Sequence, residues 1–252
     1  MGKKYFVWSF DDGVEQDKKI VEILRQYNMG ATFHLNSGLF GNKKYEGRIG
    51  NLGMKEVPFD AFNEKKHILP YVPHFRIPEN EAVQVYNGFE VSSHTKTHAN
   101  LTRCSAEKMR SEIADDVKSL SSLFKTDIHG LAYPYGMSSP ATYQAVKDCG
   151  LTYARVLKPD RSFRFPDDAL KLPMTCWHIS KNTFKTLDAF YNTESVEDMF
   201  FLMFAHGYEF DFGTKESNWN KFEKICESVA SQNGIICCSI AEALESHKKA
   251  TD

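Results

Sequence analysis

Long hydrophobic runs are missing from this sequence. No stretch approaches the roughly 20 apolar residues of a membrane-crossing helix, so no membrane span is expected. A surplus of one charge is missing as well. Lysine and arginine number 31 against 33 aspartates and glutamates, a formal net charge of -2, which offers a polyanion no complementary surface and argues against nucleic acid as a partner. Paired cysteines at zinc-finger spacing are absent. The six cysteines (Cys104, Cys149, Cys176, Cys226, Cys237 and Cys238) are scattered, the last two within an apolar run, and read as reduced core thiols. Internal repeats and low-complexity tracts are absent too. The opening Met1-Gly2-Lys3-Lys4 leads into an apolar strand without the apolar stretch and small-residue cleavage site of a secretory signal, which predicts a cytoplasmic protein for a chain that has lost no leader. What remains is a chain of 252 residues, long enough to bury a large core as one domain over residues 1–252.

The first structured stretch is Phe6-Val7-Trp8-Ser9-Phe10-Asp11-Asp12-Gly13, an apolar run that stops at two adjacent carboxylates. Its aromatic and β-branched residues read as a buried strand, with both acids at the C-terminal lip where α/β folds place their chemistry. Two like charges side by side ask for a metal ion, a proton or an arginine. A second strand-like run, Glu90-Val91-Ser92-Ser93, delivers His94-Thr95-Lys96-Thr97-His98. Histidines four apart, on a helical turn or in a tight loop, can reach one borderline cation. Two imidazoles and one carboxylate with an open position make a catalytic rather than a structural zinc set.

The remaining pattern alternates. Ile20, Val21, Ile23, Leu24 and Tyr27 share a helical face, Gly30 stops it, and Ala31 to Leu35 reads as a strand. From Asn36 to Gly88 periodicity is lost among glycines (38, 41, 47, 50, 53), prolines (58, 70, 73, 78) and aromatics; a segment this long is expected to be a functional insertion or lid, or a cap on the barrel. Met109, Ile113, Val117, Leu120 and Phe124 mark a packing helix. His129 to Tyr133 reads as a strand entering Pro134-Tyr135-Gly136, with Ser139-Pro140 opening the next helix. Leu151 to Leu157 is a further strand carrying Arg155, and Leu170 to Ser180 is mixed. Met199 to Ala205 delivers His206; a helix at Phe222 to Val229, a strand at Ile235-Ile236 and a capping box at Ser239 to Glu242 close the chain. The alternation predicts a parallel barrel with its candidate residues on one rim.

Ser9-Phe10-Asp11-Asp12-Gly13, His94-Thr95-Lys96-Thr97-His98 and Tyr133-Pro134-Tyr135-Gly136 resemble, in order, the first three motifs of the polysaccharide deacetylase (NodB-homology) family, carbohydrate esterase family 4. The resemblance implies a deformed (β/α) barrel and a metal-dependent hydrolase that removes an N-acetyl group from an amino sugar or oligosaccharide. It implies Asp12, His94 and His98 as ligands of a divalent metal, most simply zinc, with cobalt, nickel or manganese as alternatives. Asp11 is then the general base, the Tyr135 backbone N–H an oxyanion donor, and His206, in the place of the family's fifth motif, the acid.

The departures are specific. The third motif usually begins with an arginine, where Ala132 stands, and the fifth has a leucine two residues before its histidine, where Phe204 stands. Trp177 stands near the place of a fourth-motif tryptophan, with His178 beside it. Glu209 and Asp211 are extra acids after His206 that either orient it, bind substrate or face solvent. Arg155, a charge inside an apolar strand, needs a buried partner, and Asp11 is an available one. The missing motif arginine also motivates a carbohydrate-binding pseudoenzyme, and the missing leader a hydrolase of small non-sugar amides or cyclic amides.

Overall fold

The computed structural model describes residues 1–48, 54–63 and 70–251. Its frame is a parallel sheet that curls until its two ends meet. The strands are β1 (Lys4–Asp11), β2 (Ala31–Leu35), then, after three strands of an insertion, β6 (Glu90–Ser93), β7 (Gly130–Ala132), β8 (Tyr153–Pro159), β9 (Leu172–Met174), β10 (Cys176–Trp177) and β11 (Met199–His206). Their order in the sheet is β10, β11, β1, β2, β6, β7, β8, β9. The strands at the two ends of that order are separated in sequence only by Thr175, whose backbone N–H donates to the Leu202 carbonyl at 2.9 Å. The barrel is thus nearly closed. A last strand, β12 (Ile235–Cys237), pairs with the start of β1.

Helices α1 (Asp17–Gln26), α3 (Ala106–Phe124), α4 (Pro140–Asp148), α5 (Thr183–Asn192), α6 (Trp219–Ala230) and α7 (Ile240–Thr251) pack outside it, joined by the short α2 (Glu79–Val85). Their starts are chemically marked. Ser139 and Thr142 form a reciprocal capping box with Pro140 at the first position of α4, and the Ser239 and Glu242 side chains do the same for α7.

Both faces of β1 are buried, which is why it reads as an unbroken apolar run instead of an alternating one. Phe6, Trp8 and Phe10 face the helices and pack with Phe33, Phe201 and Phe222. Tyr5 and Val7 face the barrel interior with Phe200, Leu202, Phe204 and Tyr153. The period of two then carries Ser9 and Asp11 inward above them. In register, Asp11 lies beside His206 of β11 and His34 of β2, and Ala132 of β7 lies beside Arg155 of β8. The upper layer of the interior is therefore made of titratable groups.

The segment from Asn36 to Gly88 is more ordered than its sequence pattern suggests. It contains a three-stranded antiparallel sheet, β3 (Lys43–Arg48), β4 (Met54–Pro58) and β5 (Tyr71–Phe75), with β3 in the middle. Gly50 and Gly53 lie outside the described residues. Pro58 at the end of β4 and Pro73 inside β5 hid this sheet, since both strands are edges where a missing N–H is tolerated. Just after β5, Ile77 donates to the Gly13 carbonyl at 2.9 Å and Glu15 to the Phe75 carbonyl at 2.7 Å, so the insertion is fastened to the turn that follows β1. Among the described residues no helix is long and apolar enough to cross a membrane, and all six cysteines are free.

Candidate metal centre

Asp12 follows the last residue of β1 and takes a positive φ of 86°, with Gly13 at 68° behind it. Such a backbone is costly for a residue other than glycine and is held here by its surroundings. Arg76, one residue beyond β5, donates through Nη1 to the Asp12 carbonyl and, at 2.7 Å, to Asn36 Oδ1, and through Nη2 at 2.9 Å to Asp12 Oδ1. His94 and His98 lie in a loop, not on a helical turn. Thr95 and His98 adopt φ values of 63° and 56°, which folds the loop so that both rings converge. Their Nε2 atoms stand 3.9 Å and 3.8 Å from Asp12 Oδ1. Asp12, His94 and His98 each offer a ligand atom, all within 4.8 Å of one another. His94 is oriented by a 2.7 Å hydrogen bond from Nδ1 to the Ala132 carbonyl, which leaves the Nε2 lone pair facing Asp12.

Electrostatics keep these donors in the forms a cation needs. Burial pushes His98 down to about 3, against the opposing pull of Asp12, and lowers His94 as well, so both imidazoles are neutral near pH 7. Burial would raise Asp12, but Arg76 and His74 outweigh it and hold the carboxyl well below the usual range. A carboxylate and two neutral imidazoles that converge, Asp12 and His94 buried and His98 half-buried, suit a divalent metal. Arg76 shares the same carboxylate oxygen with that position.

Asp11 sits beside this cluster, 3.6 Å from His94 Nε2. Arg155 Nη2 reaches both of its carboxylate oxygens at 2.5 Å. Three strands separate β1 from β8 in the sheet, so this contact crosses the barrel interior. The guanidinium is completely buried and its carbon lies 4.5 Å from the centre of the Phe204 ring. The two departures from the family pattern are thereby one arrangement. Arg155 stands at the level of Ala132 on the next strand, and Phe204 gives its charge an aromatic face to rest on. Burial raises the Asp11 carboxyl, but Arg155, then His94, outweighs it and holds the group ionised far below the usual range.

His206 ends β11, with Nδ1 3.3 Å from Glu209 Oε2. Burial disfavours its charge, yet Glu209, Asp12 and Asp11 overcome this and raise it to about 9. Glu209 is buried and central to this side of the site: it also accepts from the His206 backbone N–H and from Trp177 Nε1, each at 3.1 Å, and lies 3.5 Å from His178 Nδ1. Of the two extra acids, Glu209 therefore holds His206. Asp211 instead accepts from Gln16 and Trp219 at the surface. Tyr135 has φ of 60°, its ring exposed and edge-on to His98 at 4.6 Å.

The insertion closes the site with residues that sequence reasoning did not single out. His74, Arg76, Lys44 and Glu56 form one wall of a cavity of about 450 Å³, and His98 and Tyr135 stand on the other. The available signal was Pro73-His74-Phe75-Arg76, in which two basic groups two apart must share one face of a strand.

A protein-family model described as polysaccharide deacetylase matches residues 1–154. Among solved structures, the Xyl-CE4 domain of a multidomain xylanase from the hindgut metagenome of Trinervitermes trinervoides is 15% identical, with a TM-score of 0.57 over 98% of this chain and 92% of that one. Peptidoglycan deacetylase PdaC from Bacillus subtilis is 15% identical, with a TM-score of 0.55 over 99% and 93%. A family 4 carbohydrate esterase from Streptomyces lividans in complex with acetate is 16% identical, with a TM-score of 0.53 over 93% and 91%. At these identities the structures speak for a shared fold. No curated protein sequence matches this chain.

Proposed function

The chain belongs to the polysaccharide deacetylase family, carbohydrate esterase family 4, and from that premise we propose that it is a metal-dependent hydrolase removing an N-acetyl group from an amino sugar or oligosaccharide. The observation that carries this reading is the convergence of Asp12, His94 and His98 within 4.8 Å, with Asp11 fixed beside them by Arg155. A divalent metal held by those three residues, zinc being the simplest, would polarise the acyl carbonyl and make water acidic enough to attack near neutral pH. Asp11 takes the proton from the attacking water, and Arg155 keeps it from turning away. The Tyr135 backbone N–H donates to the developing oxyanion. His206, charged through Glu209, gives its proton to the amine as the C–N bond breaks, so that acetate and free amine leave. The whole of residues 1–252 works as one domain, with the insertion shaping the substrate cavity.

The test is metal content and turnover together. His98→Ala should fold normally, lose most of its bound metal by elemental analysis and lose turnover of N-acetylated sugars. Full metal occupancy in that variant contradicts the ligand assignment. Wild-type protein that loads with metal but turns over only ureides or imides would move the substrate to small amides, and no turnover of any amide would make it a pseudoenzyme.

The pH profile tests the acid. His206 must carry its proton to donate it, so turnover should hold below about 9 and fall as pH rises through that value. Glu209 is the largest of the groups that raise it. Glu209→Gln should therefore move the basic limb of kcat to lower pH by more than about one unit. A limb that stays in place means that another group protonates the amine.

A further inference from the structure

The packing helix α3 carries two buried carboxylates that the mechanism leaves unused: Glu112, with 1% of its surface exposed, and Asp116, with none. Four residues apart, they share one face of the helix, and both meet the loop that delivers His94 and His98. Asp116 Oδ2 accepts from the Ser93 hydroxyl at 2.6 Å, and its Oδ1 from the Ser37 backbone N–H at 2.7 Å. Ser93 Oγ in turn accepts from the Thr95 backbone N–H at 3.1 Å. Glu112 Oε2 accepts from the Thr97 backbone N–H at 2.9 Å and Oε1 from the Thr97 hydroxyl at 2.8 Å, while the Glu112 carbonyl accepts from the Lys96 N–H at 2.9 Å. The backbone donors of Thr95, Lys96 and Thr97 are thus all tied to α3, directly or through Ser93.

This loop needs holding. Thr95 and His98 both adopt positive φ, a costly backbone for residues other than glycine, and the loop contains no glycine. Relaxing it to an ordinary backbone would strand the bonds of two buried carboxylates, and a buried acceptor left without its donors is expensive. Resting on the metal reading above, we propose that Glu112 and Asp116 are positioning residues that hold the loop from His94 to His98 in its strained shape before a metal arrives. They act through the backbone and hydroxyls of Ser93, Lys96 and Thr97, not on the imidazole nitrogens. The ion then meets converged imidazoles and does not have to gather them, which spares the ordering cost of binding.

The test reads the loop with and without metal. In the metal-free protein, Glu112→Ala should speed amide hydrogen exchange at Lys96 and Thr97 by about 10-fold or more while the amides of β1 keep their protection. Titrated with cobalt(II) and followed by visible absorption, the same variant should bind about 10-fold to 100-fold more weakly than the parent. Glu112→Gln keeps one acceptor oxygen for Thr97 and should fall between the two. Ser93→Ala takes the hydroxyl from Asp116 and the acceptor from Thr95, and should also weaken cobalt; as a small change it carries the test if Glu112→Ala does not fold. Leu120→Ala, a core change two turns further along α3, should lower the denaturation midpoint with cobalt affinity retained. Parent affinity in the Glu112 and Ser93 variants overturns the proposal. So does a Leu120→Ala variant that binds cobalt as weakly as they do, because loosening α3 would then be sufficient. If His98→Ala also keeps its full affinity, the three-residue reading beneath the proposal fails with it; if His98→Ala loses cobalt while the Glu112 and Ser93 variants keep it, only the positioning role is wrong.

Discussion

Replacing Arg155 by methionine is expected to destabilise the protein by about 3–5 kcal/mol, because it leaves the buried Asp11 carboxylate without its cation. Arg155 is fully buried and Asp11 nearly so, and the pair meets at 2.5 Å in the barrel interior. The sign of the pH dependence follows. Asp11 is ionised in the folded state far below its ordinary range, so the pair's contribution is present above the unfolded carboxylate pKa and is lost as pH falls through the folded value. In Arg155→Met the largest opposing influence on burial is gone, and the Asp11 carboxyl should take up a proton at higher pH. Chemical denaturation at pH 7 measures the effect. The double variant Asp11→Asn with Arg155→Met should recover most of the lost stability, since a neutral amide no longer demands a cation. If the single Arg155 variant is as stable as the parent, the guanidinium is not what keeps Asp11 buried.

The second large effect is on chemistry. Asp11→Asn should lower turnover by about 100-fold to 10,000-fold, the range expected for losing a general base, while leaving metal content near that of the parent. Asparagine keeps the shape and accepts from Arg155, but cannot take a proton. Asp11 lies beside, and not among, the three convergent donors, so metal should remain. Turnover within a few-fold of the parent means that another group receives the proton. Loss of metal along with turnover means that Asp11 is itself a ligand. Single-turnover measurements separate a slow chemical step from slow product release.

Several features of the fold were legible because they are local. β1, β2 and β11 announce themselves as apolar runs ending in Asp-Asp, Leu35 and His206, and α4 and α7 announce their starts by capping residues. The resemblance to the family's motifs already grouped Asp12 with His94 and His98. The insertion was not legible in the same way. Its strands are short, are interrupted by proline and pair antiparallel outside the barrel, so neither a period of two nor a period of 3.6 stands out. Arg76 meets Asp12 only when β5 docks on the turn after β1, more than 60 residues away along the chain. Glu209 was weighed as one of two loop acids, and nothing in its local sequence distinguishes it from Asp211. Only burial against His206, His178 and Trp177 does so.

Local sequence alone determined the parallel α/β barrel and the rim on which the chemistry-bearing residues collect, and the resemblance to the family's motifs named the donors that could hold a cation. Strand period and chain order are enough for that, since they set which side chains point inward and at which end of a strand they stand. Tertiary structure alone decided which charge neutralises which. Arg155 belongs to Asp11 because β1 and β8 face each other across the curled sheet, and Arg76 belongs to Asp12 because the insertion folds back over the same rim. Buried charges are paired by distance through space in a medium that screens them weakly, and that distance does not exist until the sheet has closed.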